Sequence, residues 1–312
     1  MRHDGPVDRN RSAPTGQQVS ITHGEHKVAS VSVAAGLRTY SVAGRELVDG
    51  YPADRGAGGG RGQTLVPWPN RVAGGRYRFD DTDQQLALTE PATGNAIHGL
   101  ARWVPWSVLD QSPSHVTWGY VVPPQPGWPT SLDCWVTYAL ADDGLTVTTT
   151  ATNVGDRSCP YGTGSHPYLR AGAGLVDDLT VTVPAASWFE TDALGIPVAE
   201  HDVEGSAHDL RSAQLIGARV LDTCFGGLRR DDDGRWRVEV SGPDGALTLW
   251  ADEAYGFVQV FSGDTLAEPA RRRGLAVEPM TCPPDAFNSG VGVVRLEPGQ
   301  AHCATWGLTP GR

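Results

Sequence analysis

Two side chains in this sequence have the types and settings to exchange protons with a bound substrate. Glu278 ends an apolar run in Leu275-Ala276-Val277-Glu278-Pro279-Met280-Thr281-Cys282-Pro283-Pro284-Asp285. The three prolines after it fix φ and remove backbone donors, which predicts a strand that stops and a rigid turn that leaves. A carboxylate on such a frame has little room to swing, as a base must stay within hydrogen-bond reach of its target. Taken alone, the stretch also fits a solvated Glu at a strand end. His166 lies in Tyr161-Gly162-Thr163-Gly164-Ser165-His166-Pro167-Tyr168-Leu169. Pro167 holds it extended, and imidazole is the group best poised to give and take a proton near neutrality. Ser165 points to the other face of the same strand, and the chain has no G-x-S-x-G elbow. Ser165 and His166 are therefore not a nucleophile–base pair.

Further polar residues are candidates to face a ligand. His98, in Gly94-Asn95-Ala96-Ile97-His98-Gly99-Leu100, is free to face a pocket or to make a structural hydrogen bond. Asp222 interrupts the apolar stretch Val220-Leu221-Asp222-Thr223-Cys224-Phe225, where an unpaired carboxylate costs free energy. It is a ligand-binding candidate or the start of an Asx turn. Asn70-Arg71 follow Pro67-Trp68-Pro69, and the arginine fork could hold a ligand or lie on the surface. Tyr168 adds a hydrogen-bonding aromatic. The glycine run Gly56–Gly62 lacks the strand-to-helix context and the Lys-Ser/Thr pair of a phosphate loop, so it reads as a plain flexible loop. The Arg271-Arg272-Arg273 segment beside Glu268-Pro269 reads as solvated.

Short β-type runs must position these groups. Gln18–Thr22, Lys27–Val33 and Arg38–Val42 open the series, followed by Gly75–Phe79 and Gln85–Thr89. Hairpins are predicted for Trp103–Leu109 with His115–Val122, and for Leu132–Leu140 with Leu145–Thr152 across Asp142-Asp143-Gly144. Arg235–Val240 with Ala246–Trp250, then Gly256–Phe261, Gly274–Val277, Val291–Leu296 and Cys303–Leu308, complete the pattern. Ala207–Gly217 is the one plausible short helix. Many short strands with regular turns predict an all-β sandwich or barrel. Residues 1–16 read as a polar tail, and residues 17–312 as one β domain.

Composition narrows the function further. With 25 Lys and Arg against 36 Asp and Glu, the net charge of -11 repels phosphate backbones and anionic membrane surfaces. No apolar run reaches the ~18 residues of a membrane span, and the first sixteen residues lack an apolar signal core. A cytoplasmic enzyme without nucleic-acid or membrane partners is expected. Oligomeric state is left open. The five cysteines form no C-x-x-C pair, which argues for reduced, mostly buried thiols and against a zinc site.

Five motifs in order, Asn70-Arg71-Val72-x-Gly74, Asn95-x-x-His98-Gly99, His166-Pro167-Tyr168, Leu221-Asp222-x-x-Phe225 and Glu278-Pro279 through Pro284-Asp285-Ala286-Phe287-Asn288, resemble the aldose 1-epimerases, or galactose mutarotases. The resemblance implies a large antiparallel β-sandwich with a sugar cleft on one sheet, a small-molecule sugar substrate and no cofactor. It implies that Glu278 takes the proton of the anomeric hydroxyl, that His166 protonates the ring oxygen and that His98 supports charge. Arg71 and Asp222 would hold hydroxyls, with Asn70 and Tyr168 beside them. Leu100 stands where a second glycine is common, and Leu169 where phenylalanine is common, which points to a divergent branch. The activity expected is isomerisation of the α and β anomers of a hexose. A charged hexose, phosphorylated or sulfonated, is the alternative, with Arg71, Arg76, Arg78 and Arg170 as available cations. A non-catalytic sugar-binding domain is a third reading. Trp68, Tyr168 or Phe257 could stack on a sugar ring.

Overall fold

Strict alternation of inward apolar and outward polar residues builds the largest sheet. In Leu132–Ala141 the side chains of Leu132, Cys134, Val136, Tyr138 and Leu140 are buried. The intervening Asp133, Trp135 and Thr137 face outward, as the two-residue period of a strand requires. The computed structural model describes residues 13–311. The expected tail, residues 1–16, falls mostly outside them.

The antiparallel neighbours of Leu132–Ala141 are His115–Val122 and Gly144–Asn153. The sheet continues through Ala301–Pro310, Gly245–Ala251 and Trp236–Gly242 to Thr180–Thr182 and Gln214–Leu215, with Ser107–Gln111 at the other edge. A second sheet carries, in spatial order, Pro197–Asp202, Ser187–Thr191, Asp222–Gly226, Phe257–Phe261, Leu275–Met280, Gly164–Ser165 and Thr64–Leu65, with Tyr168–Leu169 also paired to Leu275–Met280. A third sheet is made by Gln18–His23, His26–Val31, Gly36–Val42 and Arg45–Glu46.

The inner faces of the two large sheets form one core. Phe225, Val258, Val260 and Val277 from the second sheet join Trp236, Val238, Leu249 and Trp306 from the first. Each such aliphatic side chain contributes about 1.5–3 kcal/mol through burial. The Trp306 indole donates across the core to Ser165 Oγ at 3.0 Å, which ties the two sheets together with a polar contact. The fold is the large antiparallel β-sandwich that the family resemblance implies, and it decides between the sandwich and the barrel that the strand pattern left open.

Several local expectations fail for physical reasons. Ala207–Gly217 forms turns and the two-residue strand Gln214–Leu215 in place of a helix. Its apolar residues Leu210 and Ile216 are buried singly and without helical spacing. The strand placed at Gln85–Thr89 is instead Thr82–Gln85, tight against Arg76–Phe79. Ser187–Thr191 and Pro197–Asp202, near the open edge of the second sheet, carry polar residues on both faces, so alternation does not mark them. Arg272 is buried and paired with Asp177 at 2.9 Å and Asp264 at 2.6 Å, and Arg273 reaches Asp49 at 2.9 Å. That segment is thus not a solvated loop. Among the described residues no helix is long and apolar enough to cross a membrane.

Candidate active site

Strand register brings the acid–base candidates together. Glu278 lies within Leu275–Met280, whose pairing continues two residues past it, so the strand does not stop there. Gln259 pairs directly with Glu278, and Cys224 with Gln259. On the other side, the register that pairs Gly164 with Met280 and Tyr168 with Ala276 puts His166 opposite Glu278. The row ends where the His166 N–H donates to Gln63 O at 3.1 Å. Neighbouring strands lie about 4.8 Å apart, so side chains that stand opposite one another on the same face can meet. His166 Nε2 is 3.3 Å from Glu278 Oε1. Both residues are buried.

The imidazole of His166 is held from behind. Tyr168 stacks on it nearly parallel, with ring centres 5.0 Å apart, and donates its hydroxyl to Gly59 O at 2.7 Å. The Arg61 guanidinium lies 4.5 Å from the Tyr168 ring and 3.0 Å from the buried Asp49. Tyr168 is therefore a support for the histidine, and its hydroxyl is not available to a substrate. Gly60 presses on the same imidazole edge: a Cβ there would sit 2.7 Å from His166 Cδ2, and its φ of +73° suits only glycine well. The Gly56–Gly62 run, expected to be a plain loop, thus forms part of the site wall.

Loops form the facing wall. Asn70 and His98 both have positive φ, at 53° and 62°, which costs a non-glycine residue free energy. They hold one another in that geometry. The His98 N–H donates to Asn70 O at 2.8 Å, and the Asn70 N–H donates to His98 Nδ1 at 3.1 Å. Asn70 Oδ1 accepts the Arg71 N–H at 2.9 Å. Because Nδ1 of His98 is an acceptor, the proton of its neutral ring sits on Nε2. His98 and His166 meet edge-on with centres 5.5 Å apart. Arg71 grips Glu90 with both arms of its fork, at 2.7 and 2.8 Å. Asp222 accepts from Gln259 Nε2 at 2.6 Å.

Burial sets the electrostatics. It pushes Glu278 well above the usual carboxylate range, with Asp222 adding to it and Arg71 opposing. It draws His166 down to about 3, with Arg61 and Arg102 adding repulsion, and it draws His98 well down in the same way. Asp222 opens to solvent on the cleft side, yet enough protein surrounds its carboxyl for burial to raise it. Glu90 goes the other way. Burial would raise it, but Arg71 and Thr93 outweigh that and hold it low. Both shifts run the same way, toward a neutral carboxyl on Glu278 and a neutral imidazole on His166.

These groups line one cavity of about 270 Å³, at the small end of ligand sites. The sequence profile of the aldose 1-epimerases matches residues 17–309. The chain belongs to the aldose 1-epimerase family. It is an isomerase acting on carbohydrates, with a small-molecule sugar as substrate. Escherichia coli YihR, an uncharacterized protein, is 35% identical over 289 residues, covering 92% of this chain and 91% of YihR. Human galactose mutarotase is 30% identical over 170 residues, 51% of this chain and 47% of that protein. Among solved structures, the GalM/aldose epimerase homologue from C. elegans superposes with a TM-score of 0.83 at 18% identity, covering 94% and 98% of the two chains. Galactose 1-epimerase from Lactobacillus acidophilus NCFM gives 0.78 at 17%, with 95% of each chain covered. At those identities the likeness is one of fold.

Within this family frame, the residues singled out from sequence fall into two groups. Glu278, His166, His98, Asn70, Arg71 and Asp222 all line the cavity, and Tyr168 lies behind it. Of the arginines offered for a charged substrate, only Arg71 is there. Arg76 and Arg78 line a separate surface groove with Asp83 and Gln85, and Arg170 pairs with Glu46 at 2.9 Å. Trp68 is buried against Phe287, and the aromatic residues at the cavity are Phe261 and Trp103. Sequence reading missed Gln259, Glu90, Arg102 and Trp103. Gln259 had a usable signal, a lone amide in the apolar strand Phe257–Phe261. Glu90 and Arg102 sit in loops with no pattern to mark them. His98, His166 and Glu278 have ligating atoms within 4.8 Å of one another. A cation there would have to displace the proton that Asn70 fixes on His98 Nε2, so the donor set fits proton transfer better than metal binding.

Proposed function

We propose that the protein is an aldose 1-epimerase of a hexose, with Glu278 as the base for the anomeric hydroxyl and His166 as the acid for the ring oxygen. The observation that carries this reading is the buried His166–Glu278 pair, 3.3 Å apart in one row of the sheet.

The proton count balances. In the reactive form Glu278 is ionised and His166 is protonated. Glu278 removes the O1 proton as His166 protonates O5, the C1–O5 bond breaks, and an aldehyde forms. Rotation about C1–C2 and the reverse transfers close the ring on the other face. Ring opening leaves a neutral carboxylic acid and a neutral imidazole, which is the arrangement that burial favours. The pair thus stabilises the open-chain state, and ring closure returns each group to its starting protonation, so the cycle leaves no proton over. Glu278 Oε2 has no hydrogen-bond partner among the described residues, as an atom awaiting a hydroxyl would. His98 offers its Nε2–H as a donor. Glu90, oriented by Arg71, and Asp222, oriented by Gln259, offer acceptors for sugar hydroxyls. Positioned acid and base groups each contribute about 10²–10⁴-fold.

The test is anomer exchange followed by NMR at equilibrium, or polarimetry of a freshly dissolved α-hexose. The wild-type protein should accelerate exchange and Glu278→Gln should not. Saturable sugar binding without acceleration would replace this reading by that of a sugar-binding domain.

A further inference from the structure

The cavity holds one cation that the proposed chemistry does not use. Arg102 lines it beside His98 and His166, and its charge reaches both histidines. Arg71 is neutralised by the two-armed contact with Glu90, and Thr93 also donates to that carboxylate. Arg102 makes no ion pair and no side-chain hydrogen bond among the described residues. The remaining charged or titratable groups around it are Glu90, already bound by Arg71, His98, and the His166–Glu278 pair. Its guanidinium lies 5.1 Å from the ring of Trp103, itself 59% exposed at the cavity rim. A guanidinium stays protonated in proteins. Partial burial of this one, with Glu90 near but engaged by Arg71 and no carboxylate in contact with it, costs free energy that a ligand anion would offset.

We infer that Arg102, backed by Trp103, is an anion subsite, and that the substrate is a hexose bearing an anionic group on C6. This rests on the mutarotase reading. If His166 protonates O5, then C5 and its substituent C6 lie next to the atom His166 serves, in the cavity that Arg102 also lines. A planar fork of donors matches two oxygens of a sulfonate, phosphate or carboxylate. A neutral hydroxymethyl offers it a single acceptor. The three anions share the chemistry that Arg102 would read.

The experiment compares kcat/KM for anomer exchange of a neutral hexose with that of its 6-phosphate, its 6-sulfonate and its uronate, in wild type and in Arg102→Gln. A charge-assisted contact predicts about a 10- to 100-fold preference for at least one anionic sugar. Arg102→Gln should reduce that ratio by about the same factor, and added salt should reduce it progressively. The member with the highest ratio identifies the group. Equal rates for neutral and anionic sugars in wild type, or an unchanged ratio in Arg102→Gln, would overturn the inference. Calorimetry with the methyl glycosides of the same anionic sugars, whose rings cannot open, reads the subsite without catalysis. Binding that weakens in Arg102→Gln sustains it even if no sugar is anomerised, an outcome that would sink the mutarotase reading instead. Equal binding of neutral and anionic glycosides would overturn it.

Discussion

The two walls of the cleft are built on opposite principles. On the strand side, Cys224, Gln259 and Glu278 stand in one row placed by backbone pairing, and His166, between the paired residues Gly164 and Tyr168, falls in line opposite Glu278. On the loop side, Asn70, His98 and Gly60 are held in left-handed backbone. Their order comes from hydrogen bonds between side chain and main chain. The strand side resists displacement because shifting the register by one residue would turn every core side chain outward. The loop side has no such lock and depends on particular residue types. The difference separates changes that remove chemistry without moving anything from changes that move the chemistry.

The largest effect belongs to the strand side. Glu278→Gln keeps shape and packing but cannot accept a proton. Anomer exchange should fall by about 10³–10⁴-fold, with strand content by circular dichroism unchanged. Retained activity would mean that the row positions a bystander and that the base lies on the loops.

On the loop side, Gly60→Ala is the matching perturbation, because it adds no functional group and removes none. The new Cβ would collide with His166 Cδ2, on the ring that Tyr168 stacks against. The imidazole must shift, and its contact with Glu278 with it. A displacement near 1 Å can cost about 10²-fold in rate. Equal kcat in Gly60→Ala and wild type would show that the loop wall yields freely and that the histidine is set by the sheet alone.

The same contrast explains what could be read from the sequence. The strands of the large sheet were legible because Leu132–Ala141 and Gly144–Asn153 alternate cleanly around Asp142-Asp143-Gly144. Glu278 and His166 stood out as polar groups in apolar or glycine-flanked strands, although nothing in the sequence announced that register would make them neighbours. The loop wall was legible only in part. His98 and Arg71 were found through their flanking glycines and prolines. Glu90 and Arg102 were missed because a loop side chain earns its place by a distant partner. The glycine run was misread because a glycine's steric role is visible only when the atom it makes room for, here His166 Cδ2, is known.

The strand side should also leave a mark on stability against pH. His166 and His98 have folded values below their unfolded ones, so the unfolded chain binds more protons below about pH 6.5. Their contribution is present above that pH. It is lost as pH falls, in the case of His166 down to about 3. Glu278 has the opposite sign: its folded value is raised, so it disfavours the folded state as pH rises above its unfolded value. Between pH 5 and 6.5 the two effects oppose. Removing the carboxyl in Glu278→Gln should therefore steepen the rise of unfolding free energy with pH, by up to about 1.4 kcal/mol per pH unit. Urea unfolding of the substrate-free protein at several pH values measures it. An unchanged slope would mean that Glu278 is already ionised before substrate binds.

The smallest effect tests whether the loop wall stores strain. Asn70→Ala and Asn70→Gly both lose the Oδ1 contact to the Arg71 N–H. Both keep the backbone N–H that donates to His98 Nδ1. They differ in the left-handed conformation at φ 53°, which glycine adopts freely and alanine does not. Asn70→Gly should therefore be the more stable of the two in urea unfolding, by about 1 kcal/mol less the entropy that glycine adds to the unfolded chain. It should also keep more activity, because His98 stays seated. If alanine proves equal or better, residue 70 has relaxed out of the left-handed region, and the Asn70–His98 hydrogen bonds are too weak to hold the wall. In that case the comparison reverses, and sheet register alone positions the site.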